Sequence, residues 1–365
     1  MTIFIYAVLI FLVIRFSVTV FNFLSNPKLP RVVKHYHDKV SILIPARNEA
    51  ADILELLVSI KDQDYANYEV IVLDDNSDDN TFGVVENFCL TNPQFKVVSG
   101  KALPQNWLGK NYACHQLSEL ATGKYLLFID ADESVKRGLI NSLINRMEIG
   151  GLALLSVFTN QTIKSIGEWL TVPLMHFILL NLLPLRLVKL SKNPAFSAAS
   201  GQCMFFNVNN YKENHWHERV KHQVVEDVEI MKLVKREKFN AEALLANGLI
   251  YCRMYKNLGE SLNGFSKNLL AGFGNNTIIL LLYQLLVTVG PVILILNFNI
   301  ALLVLPLTLI VLSRMMISYL SGQNVLINLI LHPLQMLFFL IISFISIKKH
   351  IFKTSTWKGR TIKTI

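Results

Sequence analysis

Several common signatures are missing. Of 365 residues only four are cysteine, Cys89, Cys114, Cys203 and Cys252. They are widely spaced, with no Cys-x-x-Cys and no Cys/His cluster at zinc spacing. They read as small buried hydrophobes in a reducing compartment. No Gly-x-Gly-x-x-Gly follows an apolar run, which disfavours a soluble dehydrogenase, and no Gly-Lys-Ser/Thr phosphate loop occurs. An anionic cofactor would therefore be held by metal and cations, not by a glycine cradle. There is no internal repeat and no low-complexity segment. Acidic residues are absent from 311–365, which carry seven Lys/Arg.

Apolar sequence is abundant: the chain is 52% hydrophobic, which points to membrane segments. Residues 3–24 are almost wholly apolar and long enough to cross a bilayer. No small-residue cleavage site follows; instead come Lys28, Arg31, Lys34 and Lys39. This is the pattern of an uncleaved anchor with a cytoplasmic basic flank. Residues 277–296, 300–320 and 326–347 are each long enough to span as well. Residues 1–40 carry five basic residues and one acid, whereas 41–310 carry 23 basic and 25 acidic residues. The net charge of +9 thus flanks the apolar ends, as juxtamembrane segments do, and does not form the stripe of a nucleic-acid-binding face. Three C-terminal crossings would put the basic tail on the opposite side from residues 40–255. One of these segments, or 163–190, is therefore expected to break the odd count. In 163–190 the two prolines and charged ends favour interfacial or re-entrant helices over a span.

Between the apolar ends, short apolar runs alternate with helical patterns. Val40–Pro45, Tyr68–Leu73, Phe95–Val98, Tyr125–Ile129 and Leu152–Phe158 read as strands, with Ser200–Val208 and Leu249–Met254 after them. Ile53, Leu56, Leu57 and Ile60 recur at helical spacing, as do Val84, Val85 and Phe88. Lys110–Leu120 and Val225–Phe239 are further helices. The alternation predicts an α/β fold with a mostly parallel sheet.

Three of these strands end in acidic or polar turns: Ala46-Arg47-Asn48-Glu49, Asp74–Asp79 and Asp130-Ala131-Asp132. Parallel strands would bring all three to one sheet edge, where open α/β sheets bind ligands. Paired carboxylates there suit a hard divalent cation with a phosphate completing its shell. Alone, Asp-x-Asp reads equally well as the start of a turn, and Glu226-Asp227 as charges at a helix N-terminus. Arg47 and Lys110 are cations near the same edge. His215, His217 and His222 crowd one loop and read as solvated surface side chains before metal ligands.

Pro45-Ala46-Arg47-Asn48-Glu49, Leu73–Asp79, Asp130-Ala131-Asp132 and Glu226-Asp227, in that order, resemble the family 2 glycosyltransferases over residues 40–255. Trp107-Leu108-Gly109-Lys110 with Ala113, Arg253-Met254-Tyr255 and Trp357-Lys358-Gly359-Arg360 extend the similarity to membrane members acting on carotenoid or hopanoid lipids. The resemblance implies a GT-A nucleotide-diphosphosugar transferase fold with N- and C-terminal transmembrane helices. It implies a membrane anchor at 1–25, a catalytic domain at 40–255 and a juxtamembrane segment at 256–275. Transmembrane helices would follow at 276–347 and a basic tail at 348–365. It implies further that Ala46, Arg47 and Glu49 contact the nucleoside. Asp75 would accept from the base, commonly uracil in a UDP-sugar. Asp130 would approach the ribose and, with Asp132, the Mg2+ or Mn2+ ion. Lys110 would lie on the diphosphate, where the plain reading is a helix-start lysine. Asp227 would be the general base, with Glu226 sharing or tuning that role, and configuration would invert. Gln202, Arg253, Trp357 and Arg360 would face the acceptor or diphosphate. The implied protein sits in the cell membrane, multi-pass, with its catalytic domain in the cytoplasm. It would move one sugar from a nucleotide-sugar to a lipid acceptor, with no nucleic-acid partner.

Processive polysaccharide synthases of the family carry Gln-x-x-Arg-Trp after the base, and this chain has none. Single-sugar transfer is therefore favoured over a polymer. A polyprenyl-phosphate sugar synthase and a non-catalytic membrane scaffold are the remaining alternatives.

Overall fold

A computed structural model describes residues 2–352, 356–357 and 360–361. The chain forms two units. One comprises Pro27–Asn160 and Leu185–Arg253; the other comprises Met1–Asn26, Gln161–Pro184 and Met254–Ile365.

The first unit is α/β. Its strands are β1 (Val40–Ala46), β2 (Tyr68–Asp74), β3 (Phe95–Ser99), β4 (Tyr125–Ile129), β5 (Glu133–Val135), β6 (Leu154–Phe158), β7 (Asn160–Gln161, at the segment's end), β8 (Cys203–Asn207), β9 (Ala241–Leu245) and β10 (Ile250–Cys252). Seven of them make one sheet in the order β3-β2-β1-β4-β8-β6-β9. β3, β2, β1 and β4 are mutually parallel, and β6 is parallel to β9. β8 runs against both its neighbours. All five residues of β4 are buried. A strand covered on both faces needs such an unbroken apolar run. Leu56, Leu57 and Ile60 of the Ile53–Lys61 helix and Leu143, Ile144 and Met147 of the Leu139–Gly150 helix fill the same core.

Register decides where the chemistry goes. Val40 pairs with both Tyr68 and Tyr125, and Ala46 with Asp74. The carboxyl ends of β1, β2 and β4 therefore lie along one edge. β8 begins at Cys203 opposite Ile129, so its reversed direction delivers Ser200-Gly201-Gln202 to that edge too. β10 pairs antiparallel with β5, Cys252 opposite Glu133. The buried carboxylate of Glu242 on β9 is held by Arg146, whose Nη2 is 2.6 Å from Oε1, and by Arg186 Nη1 at 3.3 Å.

The second unit is helical. Its helices Thr2–Ser25, Thr277–Asn297, Ile300–Ser321 and His332–Phe352 are long and apolar enough to cross a membrane. Residues 163–190 give no span; they hold the helices Ile166–Thr171, Pro173–Leu182 and Leu187–Leu190, the last belonging to the α/β unit. The run expected at 326–347 is broken at Leu331, between a short helix Val325–Ile330 and His332–Phe352. Pro333 explains the break, since without an N–H it cannot bond to the Leu329 carbonyl four residues back, and it is tolerated in the first turn of the helix that follows. The Thr277–Asn297 helix passes through a π-turn at Leu285–Val289 just ahead of Pro291, whose missing N–H leaves the regular ladder unfilled.

Side-chain contacts fix the helix directions. Phe11 meets Tyr283, and Val8 packs with Leu294 and Leu303. Phe23 meets Tyr319. Thr2–Ser25 and Ile300–Ser321 therefore run alike and Thr277–Asn297 runs against them. A Cβ on Gly290 would lie 2.7 Å from Val8 Cγ2, so glycine permits that close helix approach. Only Phe298 and Asn299 connect the second of these helices to the third. Near the C-terminus Thr356–Trp357 pairs with Arg360–Thr361.

Candidate active site

The turns after β1 and β2 are bonded to each other. Asn48 and Asn76 adopt left-handed backbone, φ 54° and 53°, a conformation asparagine tolerates. Asn48 N donates to Ser77 Oγ at 2.9 Å, and Asp78 N donates to Asn48 Oδ1 at 2.8 Å. Arg47 donates to the carbonyls of Asp75 and Asn76 and pairs with Asp78 at 3.0 Å. Ala46 and Asp75 are buried, and Asp75 N donates to Ala46 O at 2.8 Å. Glu49 N donates to Thr81 Oγ1 at 2.8 Å. Ala46, Arg47, Glu49 and Asp75 thus share one shelf.

A second cluster stands at the end of β4. Lys110 Nζ lies 2.6 Å and 2.9 Å from the two Asp130 oxygens, 3.6 Å from Glu226 Oε1 and 3.3 Å from the Gly201 carbonyl. Its position is built locally. Asn111 Nδ2 donates to the carbonyls of Val220 and Gln223 at 2.9 and 3.1 Å, and Leu108 N donates to Lys221 O at 2.8 Å. These bonds tie the start of the Gly109–Leu120 helix to the loop that leads into Glu226–Arg236. Asp227, at that helix's first turn, accepts from Gly201 N at 2.7 Å and from Val228 N at 2.8 Å. A Cβ at Gly201 would sit 3.1 Å from Glu226 Oε1 and 3.2 Å from Lys110 Nζ, so glycine is what lets the groups converge.

Electrostatics follow from this crowding. Burial would lower the Lys110 ammonium's proton affinity, but Asp130 and Glu226 outweigh it and hold the group well above the ordinary lysine value. Burial pushes Glu226 up to about 7, against the pull of Lys110 and with the repulsion of Asp227. Burial likewise raises Asp227, opposed by its backbone N–H bonds and Lys110. The Asp227 charge beside Glu226 opposes its ionisation.

Asp132 lies with two residues that the sequence alone did not single out. One ligand atom each from Asp132, Glu133 and Cys252 lie within 4.8 Å of one another. Glu133 is buried and neither carboxylate oxygen has a hydrogen-bond partner. Burial and the neighbouring Asp132 and Asp130 hold its proton well above the usual carboxylate range. Two carboxylates, Asp132 and the unsatisfied Glu133, offer hard oxygens that fit a divalent cation, with the Cys252 thiol beside them. The one-residue offset between Asp132 and Glu133 was visible in sequence; the β5–β10 ladder that adds Cys252 was not.

Gln202 Oε1 accepts from Thr159 Oγ1 at 2.9 Å, and its carbonyl accepts from Asp130 N at 3.2 Å. It therefore braces the β4 edge. Arg253 is half-buried and follows β10 directly, one residue past the last ladder pair, Cys252 with Glu133. The side chains of Trp357 and Arg360 lie outside the described residues. His215 and His222 are exposed, as expected. His217 is a correction: it is buried, its Nδ1 2.6 Å from Tyr211 Oη, with Phe128 and Phe206 against its ring. Burial lowers it to about 3. The aromatic cluster around it forms only in the fold.

Residues 41–214 match the family model for glycosyl transferase family 2. The chain therefore carries a family 2 glycosyltransferase domain, and the protein is a glycosyltransferase. Among curated proteins it is 26% identical over 339 residues to the 4,4'-diaponeurosporenoate glycosyltransferase of Staphylococcus aureus (strain USA300), covering 89% of this chain and 88% of that one. The enzyme of the same name from Staphylococcus haemolyticus is 26% identical over 241 residues, 64% of this chain and 61% of that relative's length. Among solved structures, a mannosyltransferase of Pyrobaculum calidifontis in complex with GDP-Man and Mn2+ aligns with TM-score 0.58 at 14% identity, over 95% of this chain and 99% of that one. That likeness establishes the GT-A-type fold.

Proposed function

We propose that this protein is an inverting, metal-dependent glycosyltransferase that moves a single sugar from a nucleotide-diphosphosugar to a membrane lipid acceptor. The observation that carries the reading is the convergence of Asp130 and Glu226 on Lys110, with Asp227 held beside them by Gly201. It sets a donor half and an acceptor half around one cation. The relatives' name specifies a diaponeurosporenoate acceptor, which supports an isoprenoid lipid bearing a hydroxyl or carboxyl group.

In this reading Asp75, Arg47, Ala46 and Glu49 hold the nucleoside, and Asp130 takes the ribose. Asp132 and Glu133 would offer the metal their carboxylate oxygens, while the Cys252 thiol, a soft group that donates to Asp132, would line the site. A divalent ion bound there would stabilise charge developing on the diphosphate. Lys110 adds a second positive charge toward the same phosphates. Gly201 N and Val228 N fix the Asp227 carboxylate, which takes the acceptor's proton. The acceptor oxygen bonds to the anomeric carbon while the nucleoside diphosphate leaves with the bond's electron pair, and configuration inverts.

The helix directions support a cytoplasmic catalytic side. Ser25, Thr277 and Ser321 share one end of the bundle, and Thr2, Asn297 and Ile300 the other. The connection Phe298-Asn299 carries no charge, whereas Lys28, Arg31 and Lys34 follow Ser25, as the positive-inside pattern requires.

Donor turnover should be measured with and without Mn2+, on wild type and Asp132→Ala, with mass spectrometry of lipids. The expected result is metal-dependent gain of one hexose by a lipid, lost in the variant. Metal-independent turnover indifferent to Asp132→Ala would overturn the mechanism, and a sugar phosphodiester or polymer would overturn the acceptor class.

A further inference from the structure

The helical unit contains two buried arginines with no acid. Arg15 lies midway along Thr2–Ser25 and is 6% exposed; Arg314 lies in Ile300–Ser321 and is 0% exposed. Both guanidinium carbons stand 5.2 Å from the centroid of the Phe177 ring. Arg15 also faces the Phe11 and Tyr283 rings at 5.9 Å each. His332 packs on Phe177, centroids 5.6 Å apart. Arg314 donates to Asn328 Oδ1 at 3.0 Å and to Gln335 Oε1, both neutral acceptors. Arg15 Nε, Arg314 Nη1 and His332 Nδ1 are buried with no hydrogen-bond partner.

Arginine does not shed its charge, and a buried charge without its opposite is costly. Amides and ring faces supply partial negative charge only. The unit's segments hold eleven Lys/Arg against two acids, Glu168 and Glu260, and among the described residues neither arginine pairs with a carboxylate. The described residues do not supply the missing partner. It must be amphiphilic, because the outward faces of these two helices are apolar: Ile10, Val13 and Ile14 on one, Leu305, Val311 and Leu312 on the other.

We propose that Arg15 and Arg314, around Phe177 and with His332 at the edge, form a site for the oxyanion head of a membrane lipid. A carboxylate or a phosphate would match the guanidinium donors. The proposal stands independently of the sugar-transfer reading.

The test uses the full chain in nanodiscs of phosphatidylcholine alone, with added phosphatidylglycerol, or with added oleate. Thermal melting and native mass spectrometry are read together. Wild type should melt higher in one or both anionic discs and retain that anionic lipid. The phosphatidylglycerol and oleate arms say whether phosphate or carboxylate is preferred. Arg15→Gln and Arg314→Gln should each lose the increment and retain the lipid at least about tenfold less well. A Lys348→Gln, Lys349→Gln double variant should keep it, separating the site from surface charge. Equal melting in neutral and anionic discs overturns the proposal. So does an increment that survives both arginine changes, or one that inorganic phosphate reproduces in neutral discs. Should the glutamine variants fail to fold, retention by wild type decides alone: no anionic lipid held above the disc's composition overturns it.

Discussion

In the α/β unit, buried charge meets its opposite or a fan of carbonyls. Lys110 sits between Asp130 and Glu226, and Glu242 between Arg146 and Arg186. Lys235, lowered to about 8 by burial, donates to the carbonyls of Leu187, Val188 and Phe196. Glu133, beside Asp132, is an exception, and so is Asp74, whose Oδ1 has no partner and whose Oδ2 accepts from Ser77 N. In the helical unit Arg15 and Arg314 meet rings and amides instead. Those exceptions apart, the first arrangement pairs its charges within the unit; the second has no counter-charge among the described residues.

The largest effect that would sharpen this contrast is catalytic. Asp227→Asn keeps the shape of the paired site and removes the proposed base. Sugar transfer should fall by about a thousandfold, with nucleotide-sugar binding retained. Transfer within a few-fold of wild type would show that the convergence around Lys110 is structural only. Next comes stability. Glu242→Ala strips two arginines of their partner and should cost about 3–5 kcal/mol, read as a large drop in melting temperature. Arg314→Gln, measured in neutral discs without anionic lipid, should cost less, about 1–3 kcal/mol, because it breaks hydrogen bonds to Asn328 and Gln335 but no ion pair. Equal losses in the two variants would erase the difference between the units. The smallest effect is a pH shift. The base acts deprotonated, so transfer at saturating donor should rise with pH as the Glu226–Asp227 pair loses its proton. Lys110 favours the charged form, so Lys110→Met should move that limb to higher pH by about one unit. An unmoved or acid-shifted limb would remove Lys110 from the paired set.

The α/β architecture was legible in sequence because buried parallel strands write themselves as unbroken apolar runs, and because acids placed at their ends stand out. Val40–Pro45, Tyr68–Leu73 and Tyr125–Ile129 each show this. The direction of β8 was not legible: an apolar run reads the same in either sense, and only pairing of Cys203 with Ile129 shows why Gly201 reaches Asp130. Cys252 was read as a buried hydrophobe since its neighbour Glu133 is more than a hundred residues away in the chain and joins it through a three-residue ladder. His217 looked solvated for the same reason, its aromatic surroundings being assembled from separate elements. Pro333 was a local signal for a helix break, overridden in the sequence reading by the apolar run around it.

The two-residue link Phe298-Asn299 bears on how the chain would enter a bilayer. Thr277–Asn297 and Ile300–Ser321 are joined so tightly that they can insert together as a preformed hairpin. Only two side chains of modest polarity at the tip, Asn297 and Asn299, and a few backbone groups then have to traverse the hydrocarbon; Asn297 donates back to Ile293 O, and Asn299 caps the next helix by accepting from Leu302 N. Insertion of this pair thus requires no charged loop to be translocated, so the biogenesis of the membrane part is simplest when every charged connection stays on the side of synthesis.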